Sequence, residues 1–222
     1  MIVKKRIACL ALAAILAVMF GQGCTAILTS DQSVLQVSTN GSPQRTLALD
    51  SFTIKVFPEN RKYYGVAGPV VPIIPLWSGE REHGFWFQIY VLPKNGEITI
   101  DPRRIALETE RGDTFFAAGF TGPLPYADIN KSNVDIGKIL FDEKQLNVSV
   151  SQVPISEEAL IGVMFETTTI DPDQHFTLII PGLESGGHPI EVPPLKFNRL
   201  RTRHVDFSLF GPLRFQREWE VP

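Results

Sequence analysis

The sequence predicts an all-β chain, folded as an antiparallel β-sandwich, on three observations. Apolar and polar residues alternate with period two over many short segments. Seventeen Pro and 17 Gly punctuate the 222 residues between those segments, as a turn-rich β protein requires. No segment keeps a 3.6-residue apolar period for three turns, and about a dozen short strands at turn-like spacing point to a sandwich. With 44% apolar residues the chain is globular rather than disordered. A formal net charge of −3 gives no reason to expect nucleic acid as a partner. Two cysteines cannot build a disulfide framework.

Residues 1–23 stand apart from the fold. Lys4, Lys5 and Arg6 form a positive segment, and Ile7 to Phe20 is an unbroken apolar run of fourteen residues. A membrane-spanning helix needs about 20, so the run suits a secretory signal. Gly21-Gln22-Gly23 follow, then Cys24. This junction resembles the lipobox of bacterial lipoproteins, although that family usually has Leu where Gly21 stands. The resemblance implies cleavage before Cys24 and acylation of its thiol, with Cys9 discarded. Thr25, rather than Asp, follows the cysteine, which within that family favours the outer membrane. Residues 24–222 keep 18 of the 21 basic residues and all 24 acidic ones, a net charge of −6.

Thr25 to Arg45 is polar, without strong period, and reads as a tether; Val34 to Val37 is either a short edge strand or plain linker. From Leu47 the alternation is strong: Leu47, Leu49, then Phe52, Ile54 and Val56, with a slip near Ser51 that suits a bulge. In Gly84 to Leu92, Phe85, Phe87, Ile89 and Val91 share one face, and Trp86, Gln88 and Tyr90 the other. This predicts a strand buried on one face and partly covered on the other. Asn95-Gly96 is a hairpin signal leading into Glu97 to Ile100. Further strands are predicted over 104–110, 114–119, 145–151, 160–166, 175–180, 189–197, 203–210 and 213–221. Single helical turns suit Ser156 to Ala159 and Asn133 to Leu140.

Two stretches carry a further resemblance: Ile98 to Leu107 with Gly112, and Phe176 to Leu183 with Gly186-Gly187 and Ile190 to Phe197. They resemble segments of immunoglobulin-like sandwich domains in bacterial surface proteins. The resemblance spans roughly residues 84–198 and implies a fold class, not an activity. The expected organisation is a signal over 1–23, a lipidated Cys24 and tether over 24–45, and one immunoglobulin-like sandwich over 46–222.

Candidate chemistry is sparse. Asp171, Asp173 and His175 point the same way if extended, and two carboxylates with an imidazole can ligate a divalent ion; a turn opened by Asp171-Pro172 is the competing reading. Asp128 to Asp135 fails as a calcium loop, since Asn133 stands where the glycine belongs and Ile139 where the acid belongs. Glu80 to His83 follow Ser78, but no G-x-S-x-G elbow is present. Arg199, Arg201, Arg203 and His204 form a basic stripe, expected by default to pair with carboxylates of a neighbouring strand; headgroups or an acidic partner are the alternative. Gly65 to Trp77 carries Pro69, Pro72 and Pro75 at three-residue spacing. Proline restricts it to a loop or an edge strand, and Val70, Val71, Ile73, Ile74, Leu76 and Trp77 make it a candidate partner-binding surface or a cap over the sandwich. These features lead to the expectation of a non-enzymatic, lipid-anchored envelope protein without a cofactor, contacting the bilayer through Cys24 and a protein partner. The alternative is an envelope enzyme or metal-dependent binder using Asp171, Asp173 and His175.

Overall fold

The computed structural model describes residues 26–35, 46–67, 74–78, 84–127 and 139–206, with side chains over 29–35, 46–64, 84–127 and 139–202. The described residues are all-β in class, with helical residues at 102–104, 126–127, 139–140 and 143–145. In chain order the strands are β1 (Ala26–Leu35), β2 (Thr46–Ala48), β3 (Phe52–Pro58), β4 (Lys62–Ala67), β5 (Ile74–Ser78), β6 (Phe85–Pro93), β7 (Ile98–Ile100), β8 (Ala106–Thr109), β9 (Thr114–Pro125), β10 (Val153–Ile155), β11 (Ala159–Phe165), β12 (Phe176–Ile179), β13 (Leu183–Ser185), β14 (His188–Ile190) and β15 (Leu195–Asp206).

The described chain divides into two units. The larger comprises residues 30–62 and 77–201. Its main sheet runs β2-β3-β6-β11-β9-β8-β12-β15-β1, and a second sheet runs β10-β7-β13-β14. In the smaller unit, residues 26–29, 63–67, 74–76 and 202–206 are described, and the strand order is β15-β1-β4-β5.

Strand β9 turns the corner of the main sheet. Its first residues, Thr114 to Phe116, pair antiparallel with β8, whereas Ala117 to Pro125 pair with β11. The register with β11 slips twice, between Leu160 and Gly162 and between Met164 and Phe165. Such irregularities bend a strand. The bend folds β6 and β11 over β12 and β15, so that their phenylalanines share one core. Phe87 meets Phe176 edge-on at 5.8 Å and Phe197 at 6.0 Å, while Phe176 and Phe197 stack at 4.9 Å. Ile98 and Ile100 of β7, Val153 and Ile155 of β10 and Leu183 of β13 complete the same core. Each fully buried side chain of this size contributes about 1.5–3 kcal/mol.

The alternation of β6 is as expected. Phe85, Phe87, Ile89 and Val91 enter the core, and the other face is covered in its turn. Phe141 packs on Trp86 with ring centroids 5.6 Å apart. The backbone of Leu140 crosses β11 where Gly162 has no side chain, and Thr121 Oγ1 donates to Leu140 O at 2.5 Å. A residue larger than glycine at 162 has no room there.

Several local expectations are corrected. The slip at Ser51 is a turn, not a bulge: β2 pairs back on β3, Leu47 facing Ile54. Asn95-Gly96 does make a turn, with φ +81° at Gly96, but it makes no hairpin. Strand β6 pairs with β3 and β11, while β7 pairs with β10 and β13, so the turn carries the chain from one sheet to the other. This lets Ile98 and Ile100 enter the core that β6 already faces. The strand expected over 145–151 is absent. Asn147 Oδ1 accepts from the Ser149 and Val150 N–H groups, both at 3.1 Å, occupying donors that a ladder would use. The strand expected over 189–197 is two, separated by Pro193-Pro194. The segment expected over 203–210 is the far end of β15, described to Asp206, and 213–221 lies outside the described residues.

The largest difference concerns the expected tether. Ala26–Leu35 is a ten-residue strand, and Ser30 to Leu35 are all buried. Asp31, Gln32 and Ser33 are paired rather than solvated.

Candidate functional site

The most concentrated chemistry lies where the core of the larger unit ends. Along β15, Leu195 and Phe197 are core residues, and the same face continues as Arg199 and Arg201. Along β1, Leu35 is a core residue, and the same face continues as Ser33 and Asp31. Alternate residues of a strand share a face, so apolar packing passes directly into a polar seam.

The Asp31 carboxylate is only 4% exposed and accepts from two guanidinium groups. Arg199 Nη2 lies 2.5 Å from Oδ2, and Arg201 places Nε 2.8 Å from Oδ1 and Nη2 2.8 Å from Oδ2. A buried carboxylate needs such partners to stay charged. Beside it, Asn60 is 1% exposed and spends its amide on three bonds. Its Oδ1 accepts from the Ser33 N–H at 3.2 Å, and its Nδ2 donates to Ser33 Oγ at 2.8 Å and Ile170 O at 3.0 Å. Arg61 Nε donates to Gln32 Oε1 at 2.6 Å, and Lys62 Nζ donates to Asp171 Oδ2. The seam thus ties β1 to β15, to the β3–β4 connection and to the segment entering β12.

This geometry separates the candidate metal ligands. Asp171 pairs with Lys62, and the Asp173 N–H donates to Asp171 Oδ1 at 3.3 Å in the turn that Asp171-Pro172 opens. Burial pushes the Asp171 carboxyl up, but hydrogen bonds from Lys62 and Asp173 and the Lys62 charge bring it below the usual carboxylate range. Its hydrogen bond with Asp171, then the Asp171 charge, push Asp173 up. His175 is elsewhere engaged, with Nδ1 2.7 Å from Asn198 Oδ1. The two carboxylates meet and the imidazole does not join them. Among the described residues no group of three or more His, Cys, Asp or Glu could hold a metal ion.

Arg199 and Arg201 pair with a carboxylate of the neighbouring strand, the default expected of that stripe. The side chains of Arg203 and His204 lie outside the described residues, as do Cys24, Val70, Val71, Ile73, Glu80 to His83 and Asp128 to Asp135. Ile74, Leu76 and Trp77 belong to β5, whose backbone stands last in its sheet order and includes Pro75, an edge position that proline tolerates.

Sequence reasoning missed Asp31, Ser33 and Asn60, because a Ser-Asp-Gln-Ser run has the composition of a linker. The available signal was the arginine stripe, which called for a buried acid opposite it. A second cluster on the outer face of β6 was also missed. Tyr90 donates to Glu158 and meets Tyr126 edge-on at 6.0 Å, with Lys55 Nζ 5.2 Å from the Tyr90 ring.

No family model, curated protein or solved structure matches this chain.

Proposed function

We propose that this chain is a lipid-anchored protein of the bacterial cell envelope, held at the outer membrane and facing the periplasm, with a non-enzymatic structural or protein-binding role. The observation that carries the proposal is Cys24, set directly after Gly23 at the close of the apolar run from Ile7 to Phe20. Each buried methylene of an acyl chain contributes about 0.8 kcal/mol, and more than one chain makes the attachment stable. Only Thr25 separates Cys24 from the first residue of β1. Two residues of chain reach about 7 Å at most, so the lipid holds the fold against the bilayer rather than at the end of a long tether.

The finer fold assignment proposed with it is an immunoglobulin-like sandwich. The phenylalanines that β6, β12 and β15 send into one core support that reading. The proposed partner surface comprises Val70, Val71, Ile73, Ile74, Leu76 and Trp77. The edge position of β5 supports it, since an edge strand is accessible to another chain.

Metabolic labelling with palmitate tests the anchor. Label is expected in the wild-type chain and lost in Cys24→Ala while secretion persists. Label that persists in Cys24→Ala overturns the anchor. Cross-linking from membranes tests the surface: an adduct of the wild-type chain is expected to disappear in the triple variant Ile73→Ser, Ile74→Ser, Leu76→Ser at unchanged melting temperature. A large fall in melting temperature instead makes this segment a cap.

A further inference from the structure

The covered outer face of β6 and β11 brings a thioether beside a hydrogen-bond donor that has no acceptor. Met164 of β11 is directly opposite Trp86 of β6, and it is the sole methionine beyond residue 19. A β-carbon placed on Gly84 would stand 3.1 Å from Met164 Cγ and Sδ and 3.2 Å from Trp86 Nε1. The thioether and the indole nitrogen therefore both lie close over Gly84, a buried glycine with φ +80°.

Trp86 is fully buried and braced by Phe141. Its Nε1 has no hydrogen-bond partner among the described residues. A buried N–H left unpaired is costly, and a thioether sulfur is only a weak acceptor. A sulfoxide oxygen on the same sulfur is a strong one. Met164 is partly exposed, whereas Gly84 and Trp86 beside it are buried.

We infer that Met164 is a reversible oxidation site whose sulfoxide oxygen is received by the Trp86 indole N–H. The oxidant class is a peroxide. The sulfur lone pair attacks one oxygen of hydrogen peroxide, the O–O bond breaks, the sulfur loses two electrons and water leaves. Return to the thioether takes two thiols, which become a disulfide as the oxygen departs as water. Oxidation of a packed methionine ordinarily disrupts its surroundings. Here the new oxygen gains a donor that was already in place. Sulfur becomes chiral on oxidation, and only the epimer that directs its oxygen over Gly84 meets the indole N–H.

The test treats the folded chain with hydrogen peroxide. Peptide mass spectrometry reads the oxygen at residue 164, nuclear magnetic resonance reads the Trp86 Nε1–H, and thermal unfolding reads the cost. The expected result is one oxygen on Met164, a downfield shift of the indole resonance and a melting temperature no lower than that of the reduced chain. In Trp86→Phe the same oxidation lowers the melting temperature relative to the reduced variant. Met164→Leu takes no oxygen at residue 164 and its indole resonance does not respond to peroxide. If Trp86→Phe does not fold, the wild-type indole shift decides alone. Three results overturn the inference: resistance of folded Met164 to peroxide that oxidises it in the unfolded chain, an indole resonance unmoved by oxidation, or an equal melting loss in wild type and Trp86→Phe.

Discussion

Asp31 and Arg201 form a two-pronged pair in which the acid is buried and the base stands half in water, at 4% and 48% side-chain exposure. The asymmetry makes the two partners unequal under mutation. Removing Arg199 and Arg201 together leaves a buried carboxylate with neither guanidinium. That costs about 3–5 kcal/mol. Asp31→Asn instead leaves two guanidinium groups that water can solvate, at about 1–2 kcal/mol. Urea unfolding of the double alanine variant and of Asp31→Asn checks this order. The reverse order would mean that the seam is not organised around Asp31.

Gly162 is a second point of leverage. A β-carbon there would stand 2.2 Å from Leu140 O and 2.5 Å from Thr121 Oγ1. Gly162→Ala must therefore lift the 139–141 segment off β11 or displace the strand, at a cost of about 2 kcal/mol or more. Gly96→Ala is the control. It meets nothing within 4 Å but sits at φ +81°, so it carries only the conformational cost of about 1–2 kcal/mol. Thermal unfolding of the two variants is expected to show the larger loss at 162. Equal losses would show that the Leu140 crossing yields easily.

Tyr90 gives the fold an alkaline limit. Burial raises its phenol above the usual 10.0, and the hydrogen bond to Glu158 raises it further. The folded chain thus holds this proton more tightly than the unfolded chain does. The associated stabilisation is complete below about pH 10 and is lost as pH rises above it. Urea midpoints of wild type and Tyr90→Phe, compared from pH 8 upward, check this. The advantage of wild type is expected to shrink above pH 10, and a constant difference across that range refutes the assignment.

The all-β class was legible because it rests on local alternation, and β6 shows this best. Its length, its core face and its covered second face were all present in the sequence from Gly84 to Leu92. Pairing was less legible. Asn95-Gly96 was read as a hairpin signal, yet the strands on either side belong to different sheets, since a local bend does not fix what each strand pairs with afterwards. Strand β1 was hidden for a different reason. Ser33 and Asp31 are buried only because Asn60, Arg199 and Arg201 lie far along the chain and meet them in the fold. The Asp171 turn was one of the two readings open beforehand, and what decided it was Lys62, more than a hundred residues earlier.

The small sheet ends in β10 and β14, two strands of three residues, each with a proline at its centre, Pro154 and Pro189. Proline offers no N–H, and so short a border gives an incoming chain little to zip onto. In the lipid-anchored state proposed above, copies on a two-dimensional surface would collide edge to edge more often than copies in free solution. A sheet bordered this way lets neighbours crowd without growing into one another as a filament.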